Sequence, residues 1–391
     1  MSRISARRLF YEIHLWLGIV SGIVLFIVCL SGTIYTFRDE VERFSQTSKY
    51  YVSGTHGSSQ MSADVLIAKI EAEQQARVSQ IVVPGDANRT WVLRLEFAPA
   101  QDGGQQGGPP RMRTLYVDSY AGEVRGEGGN PTDGFFLSMM RLHRFLLLPD
   151  NIGRPIVGVA TIIFGVLLLT GLILWLPRTL KAWTQWKIWR VGLRIRPAKG
   201  WKPFLYDIHN TLGFYMLLPL LIMALTGLCW SFAWYRDAAS TVLGDRIFKQ
   251  RMSRPMQIEL PENFSFSSEF ISIQGMIDRQ NELMPGTGEI SVTIPRDMGT
   301  ATVVDKLRTG FITLAARNKT QWDRSQGRIV SEERFADQTF GSKIAALVRS
   351  LHLGDFYGAS SKILYFIACL IATTLPLTGV IIWINKLRGR F

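Results

Sequence analysis

Five histidines occur in this 391-residue chain, and four of them stand in repeated surroundings. The stretch "LFYEIHLWLG" (Leu9–Gly18) leads into an uncharged apolar run, and "FLYDIHNTLG" (Phe204–Gly213) does the same in the second half. Both hold an aromatic residue, an acid, Ile and His in one order, with a Gly four residues after the His. His143 in "MRLHRFLLLP" and His352 in "VRSLHLGDFYG" form a second related couple. His56, in the polar stretch "SGTHGSSQ", has no counterpart and reads as a solvated loop residue.

Two facing imidazoles can supply both axial ligands of a b-type haem, and helix bundles place such ligands in their interiors. Zinc is a rival, but it usually wants four N, S or O ligands. Glu12 and Asp207 stand two residues ahead of His14 and His209, a spacing that points them elsewhere on a helix. A proton relay is a third option for ionisable groups near a membrane. A plain interfacial role is the fourth, because duplication copies inert residues as well. Most apolar-run residues differ between the halves, whereas the histidines and their Gly and Thr-Gly neighbours persist, which favours haem ligation.

The elements that must position these residues are four uncharged apolar runs, Leu15–Phe37, Pro155–Pro177, Asn210–Tyr235 and Ile363–Ile384. Each exceeds the length of about 20 residues that crosses a hydrocarbon core of about 30 Å. Trp16, Trp175, Trp230, Trp234 and Trp383 sit near their ends, as interfacial tryptophans do. Arg178–Tyr206 holds eight Lys/Arg and no acid, whereas the two long loops are nearly neutral, so +12 of the net +13 lies on one side. The positive-inside rule makes that side cytoplasmic, with both termini inside and both large loops outside. This segregation is a topology signal, and no separate nucleic-acid signal accompanies it. The first run lacks a suitably placed small-residue cleavage site and reads as an uncleaved anchor. Cys29, Cys229 and Cys369 all fall within apolar runs, so the loops have no cysteine for a disulfide, and C-x-x-C and C-x-x-C-H motifs are absent.

The chain reads as doubled. Aligned on His14 and His209, "SG" (Ser31–Gly32) falls on "TG" (Thr226–Gly227). "LLLTGLILWLPR" (Leu167–Arg178) resembles "TLPLTGVIIWINK" (Thr374–Lys386), and "YVDSYAGEVRGE" parallels "QWDRSQGRIVSEE". The expected fold is an integral membrane protein: a bundle of four transmembrane α-helices plus two external α+β domains, with internal two-fold duplication. Helices are expected over Ala63–Arg77 and Ile271–Leu283, and strands over "TWVLRLEF", "TLYVDS", "GEISVTI" and "ATVVDK". The segment Ala98–Pro110 reads as a mobile hairpin loop. The corresponding divisions are 1–37 for the arm and first span, 38–153 and 236–361 for the outer domains, 154–177, 209–235 and 362–391 for the later spans, and 178–208 for the basic segment.

Gly18, Gly22, Gly32, Gly158, Gly165, Gly171, Gly213, Gly227 and Gly379 would let a flat macrocycle or a neighbouring helix approach, and helix packing is the reading favoured for most. Arg7, Arg8, Arg141, Arg144 and Arg349 lie near the histidines and could hold haem propionates, although for Arg7 and Arg8 topology is the commoner reason.

The paired "Y-[ED]-I-H-x-x-L-G" segments, the "LH" before the even spans, the "TG" near their ends and the "D-x-x-x-G" hairpins resemble the PepSY-associated transmembrane family, in particular its inner-membrane ferric-siderophore reductases. The resemblance runs from Arg7 to Lys386. It implies two PepSY-like domains in the periplasm and two non-covalent b haems, with His14, His143, His209 and His352 as axial ligands to the haem iron. The implied activity passes electrons across the bacterial inner membrane to a ferric siderophore, His14/His209 receiving and His143/His352 delivering. The chelate would sit on the outer domains or in the cleft between them.

No G-x-G-x-x-G is present, so the donor must be external: a membrane quinol, or a cytoplasmic flavin or nicotinamide reductase. The basic segment, with Trp183, Trp186, Trp189 and Trp201, could dock such a donor, but lying on anionic membrane lipid is the favoured role. Two alternatives stay open. One is a haem-free PepSY interaction module that modulates peptidases or signalling. The other is a b-type cytochrome serving a non-iron acceptor.

Overall fold

The computed structural model describes residues 6–52, 59–98, 110–197, 200–249, 255–259 and 271–389. His56 and nearly all of the Ala98–Pro110 loop lie outside these residues. The chain divides into a helical unit (Met1–Arg38, Asp133–Phe248 and Ile344–Phe391) and a sheet unit (Asp39–Thr132 and Lys249–Lys343).

Three helices of the first unit are long and apolar enough to cross a membrane: Ala6–Tyr35, Asp150–Trp175 and Gly358–Leu387. Most of their serine and threonine hydroxyls donate to carbonyls of the same helix, as an apolar surround demands. Ser31 Oγ donates to Ile27 O at 2.6 Å and Thr33 Oγ1 to Cys29 O at 2.8 Å. The expected continuous helix over Asn210–Tyr235 is corrected. It comprises Trp201–Tyr215 and Leu217–Ser231, bent by 62° at the break, and the pair makes a fourth crossing if counted as one. Pro219 accounts for the position of the break: it has no N–H for the Tyr215 carbonyl, and its ring crowds that turn. Just upstream, Ile208–Leu212 winds as a π-helix. Phe232 is extended, and a separate helix, Ala233–Leu243, follows. Two shorter helices, Asp133–Phe145 and Phe340–Leu353, precede the second and last long helices and carry His143 and His352 near their C-terminal ends.

The sheet unit contains β1 (Arg77–Val83), β2 (Trp91–Phe97), β3 (Arg111–Asp118), β4 (Glu123–Glu127), β5 (Gly288–Thr293), β6 (Thr302–Arg308), β7 (Arg317–Asp323) and β8 (Arg328–Glu333). The expectation of two separate sheets is corrected. All eight strands form one antiparallel sheet in the order β4-β3-β2-β1-β5-β6-β7-β8. The joint is β1 against β5, Ile81 opposite Val292, so each half covers the other's exposed strand edge. The β1 strand escaped the sequence reading because "RVSQIVV" carries a bulge between Val78 and Gln80 that disturbs its alternation.

Helices Ala63–Gln74 and Ile273–Leu283 contribute Leu66, Ile70, Met276 and Ile277 to one core with Ile81, Leu93, Leu95 and Val292. They also cap each other. The Asp64 carboxylate accepts from the Ile273 and Gln274 N–H groups, both at 2.9 Å, and Gln274 Oε1 accepts from Ala63 N at 2.9 Å. Ile81 is fully buried at the joint, so Ile81→Ala is expected to destabilise the sheet unit by about 2–5 kcal/mol. Limited proteolysis on a temperature ramp reads this as a lower cleavage midpoint within 39–132 and 249–343.

Candidate functional site

The helical unit brings the four repeated histidines together in two pairs. The His14 and His209 ring centroids stand 6.3 Å apart at an interplanar angle of 84°. Those of His143 and His352 stand 6.2 Å apart at 60°. His14 comes from the uninterrupted helix Ala6–Tyr35, whereas His209 sits in the π-helical turn, whose wider winding re-aims the side chain ahead of the bend.

Each ring is held through Nδ1 from a different helix, by a threonine hydroxyl, a backbone carbonyl or both. His14 Nδ1 bonds Thr170 Oγ1 at 3.0 Å, and His209 Nδ1 bonds Thr378 Oγ1 at 2.8 Å. His143 Nδ1 bonds Val28 O at 2.8 Å, and His352 Nδ1 bonds Met223 O at 3.1 Å and Thr226 Oγ1 at 3.2 Å. A carbonyl can only accept, so His143 and His352 are protonated at Nδ1. Thr170 and Thr378 already donate their hydroxyl hydrogens to Val166 O and Thr374 O, so they too accept from Nδ1–H. The network therefore assigns one tautomer to all four rings and leaves each Nε2 with its lone pair. No protein group bonds any of the four Nε2 atoms among the described residues.

The residue after each Ser or Thr position is a glycine under the ring. A Cβ on Gly32 would lie 3.0 Å from His143 Cε1, on Gly227 3.1 Å from His352 Cε1, on Gly171 3.2 Å from His14 Cε1, and on Gly379 3.4 Å from His209 Cε1. Each repeated Ser/Thr-Gly dipeptide thus marks a clasp, one on each long helix and on Leu217–Ser231: the glycine seats the ring in all four, and Thr170, Thr226 and Thr378 also bond it, whereas Ser31 bonds its own helix and Val28 O holds His143. General helix packing, favoured from sequence for most of the glycines, is not what these four do. It holds elsewhere: Gly18 and Gly22 meet neighbouring side chains at 3.8 and 3.7 Å, and Gly158 packs beneath Phe232.

Two imidazoles sharing one transition-metal ion through Nε2, at bonds of about 2.0–2.1 Å, carry their ring centres about 6.3 Å apart. Both pairs stand at that separation. Among the described residues no three of His, Cys, Asp and Glu gather as a metal-binding group, so each pair is a two-nitrogen set. Such a set fits an ion whose other four positions come from a macrocycle better than a bare zinc ion. Space for one exists at the first pair, where a cavity of about 810 Å³ reaches His14 and His209. That volume falls within the usual range of about 300–1,000 Å³ for cofactor sites.

Arg7, Arg8, Arg178 and Lys386 line this cavity and make it basic. Arg7 has a second task, because it donates to Leu174 O and to Leu176 O (3.0 Å) and so caps the end of Asp150–Trp175. Glu12 also lines the cavity, which corrects the expectation that it points away. Asp207 does point elsewhere: it is buried and clamps Arg196 at 2.7 Å, fastening the basic segment beside the π-turn. Arg144 lies over the Phe145 ring, 4.9 Å from its centroid. The cavity wall includes Trp175 stacked on Phe214 at 3.6 Å, a contact that no spacing in the sequence announces.

The sequence model of the PepSY-associated TM region matches residues 11–386. The chain belongs to the PepSY-associated transmembrane family. No curated protein matches it. Family and apolar helices together make the chain a multi-pass membrane protein. In this PepSY-associated protein the matched region runs through both imidazole pairs, all four clasps and the eight-stranded sheet.

Proposed function

We propose that this protein is a two-haem reductase of the bacterial inner membrane that passes electrons outward to ferric siderophores in the periplasm, releasing iron as Fe(II). The reading takes the chain as an internal duplication with four spans, the bent pair counted as one, both termini cytoplasmic and the sheet unit outside. The observation that carries it is the pair of opposed imidazole couples at 6.3 and 6.2 Å, each ring tethered through Nδ1.

A b haem held by each histidine pair would supply reversible one-electron chemistry. The chain's own residues do the rest. His14 and His209 hold the cytoplasmic site, and His143 and His352 the outer one. The clasps fix ring tautomer and orientation, which raises the basicity of each Nε2. Arg8, Arg178 and Lys386 answer carboxylates at the inner cavity. The apolar bundle keeps water away from both sites.

The substrate is Fe(III) held by the hard oxygen ligands of a siderophore. One electron converts it to Fe(II), which those ligands hold poorly, and the chelator leaves intact. The electron comes from a membrane quinol or from a cytoplasmic flavin or nicotinamide reductase. Its outward passage is favoured by an inside-negative potential, at about 2.3 kcal/mol per 100 mV.

The test is the absorption spectrum of detergent-purified protein before and after dithionite, with pyridine-haemochrome quantification. A reduced low-spin b-type spectrum at about two haems per chain supports the reading. Reoxidation by a ferric siderophore under anaerobic conditions then separates it from a cytochrome serving a non-iron acceptor. A colourless protein that also refuses added haem overturns it in favour of a haem-free interaction module.

A further inference from the structure

Tyr365 is a buried phenol that the bundle leaves without a partner. It lies on the outer part of Gly358–Leu387, is 3 % exposed, and its hydroxyl has no hydrogen-bond partner among the described residues. Buried phenols normally find an acceptor, so an orphan of this kind asks for one.

The surroundings of Tyr365 belong to the outer imidazole pair. Its Cβ and Cγ lie where a Cβ on Gly354 would stand, 2.5 Å away, and Gly354 follows His352 by two residues. Gly354 has φ of +81°, a left-handed turn that ends Phe340–Leu353 and lets the Tyr365 ring close up beneath it. One helical turn on, Cys369 Sγ meets Met223 Sδ at 3.5 Å, and the Met223 carbonyl is the group that holds His352 Nδ1. The ring also packs on Phe356 at 5.8 Å. Tyr365 is therefore fixed against the backbone that carries and clasps His352, with an O–H donor unspent.

We infer that Tyr365 is a ligand-binding residue of the outer site, its hydroxyl donating to a carboxylate of the tetrapyrrole held by His143 and His352. The inference rests on the two-haem reading. The outer site then recognises a group with an anionic edge through a single neutral donor, whereas the inner cavity does so through Arg8, Arg178 and Lys386. A hydrogen bond that draws a carboxylate's negative charge away from the iron favours the reduced state, which carries less positive charge.

The experiment is a spectroelectrochemical titration of Tyr365→Phe in the full-length, haem-loaded protein. Phenylalanine keeps the ring beneath Gly354 and removes only the donor. One of the two midpoints is expected to fall by a factor of about ten in the reduction equilibrium, 59 mV for one electron, while the other stays in place. Adding His209→Ala, which leaves only the outer site, should retain the shifted midpoint. A second measurement uses the parent protein alone: resonance Raman in H₂O and D₂O should show a propionate bending mode that moves on exchange. Two midpoints unchanged in Tyr365→Phe, or no exchange-sensitive propionate mode from the outer site, overturn the inference while leaving the two-haem reading intact. A parent protein without haem overturns that reading first.

Discussion

His352→Ala is expected to carry about one b haem per chain where about two are expected of the parent, and to lose ferric-siderophore reduction to background. His143 faces His352 at 6.2 Å across the outer site, and among the described residues no further imidazole is at hand to take over. Its Nδ1 would stay tied to Val28 O, and one imidazole in place of two would not hold the group, so the outer site empties. His209→Ala makes the complementary deletion. It should retain the outer haem, which dithionite reduces directly, yet fail to accept electrons from the physiological donor. Haemochrome content and stopped-flow reduction of both variants distinguish a wire with an order from two equivalent sites. Unchanged haem content and unchanged iron release in both would remove the basis of the proposal.

Gly32→Ala is expected to weaken the outer haem by about 10–100-fold, the usual cost of disturbing a partner of a metal ligand. The added methyl meets His143 Cε1 at 3.0 Å, and the ring cannot retreat without stretching its bond to Val28 O. Gly227→Ala and Gly171→Ala, at 3.1 and 3.2 Å, should follow with smaller losses, and Gly379→Ala, at 3.4 Å, should show the least. Gly165→Ala is the control, because nothing stands within 4 Å of its added Cβ although it shares a helix with Gly171. Haem dissociation rates, measured by transfer to apomyoglobin, should rank the series in this order. A flat series that includes Gly165→Ala would mean that the glycines only pack helices.

Thr170→Val and Thr378→Val probe the other half of the clasp. Each removes the acceptor for an Nδ1–H while preserving shape, and Thr→Ser restores it. Midpoint potentials of the inner haem should move in the valine variants and return in the serine ones, which a purely structural role would not produce.

Much of the candidate site could be read from residue identity and spacing. His14, His143, His209 and His352 stood out because repeat-related histidines are rare enough to compare by eye. The Ser/Thr-Gly dipeptides were visible as conserved between the halves, but their task was not. Whether a glycine faces a ring or a helix depends on the rotation of one helix against another, which no single segment encodes. For the same reason the sequence does not separate Gly171 from Gly165. Glu12 was misjudged because the i, i+2 offset turns it about the helix axis, yet the cavity is wide enough to include it. Tyr365 carries no spacing signal at all, and only burial with an unmatched hydroxyl brings it forward.

The sequence by itself determined the apolar runs, the charge segregation and the helix and strand content around them, since these follow from local composition and periodicity. Long-range contact decided the remainder. The bend at Met216 needs the Pro219 ring to meet the preceding turn, and Gly192 O ties the stretch before it to the second long helix by accepting from Thr211 Oγ1 and Trp175 Nε1. The single eight-stranded sheet arises because β1 and β5, more than 200 residues apart, each offer an unpaired edge that the other satisfies. The imidazole pairs, likewise, are separated by about as many residues and meet only when four helices pack at one register. Such pairings are three-dimensional facts: hydrogen-bond satisfaction and close packing select them from many partners that the local pattern allows equally.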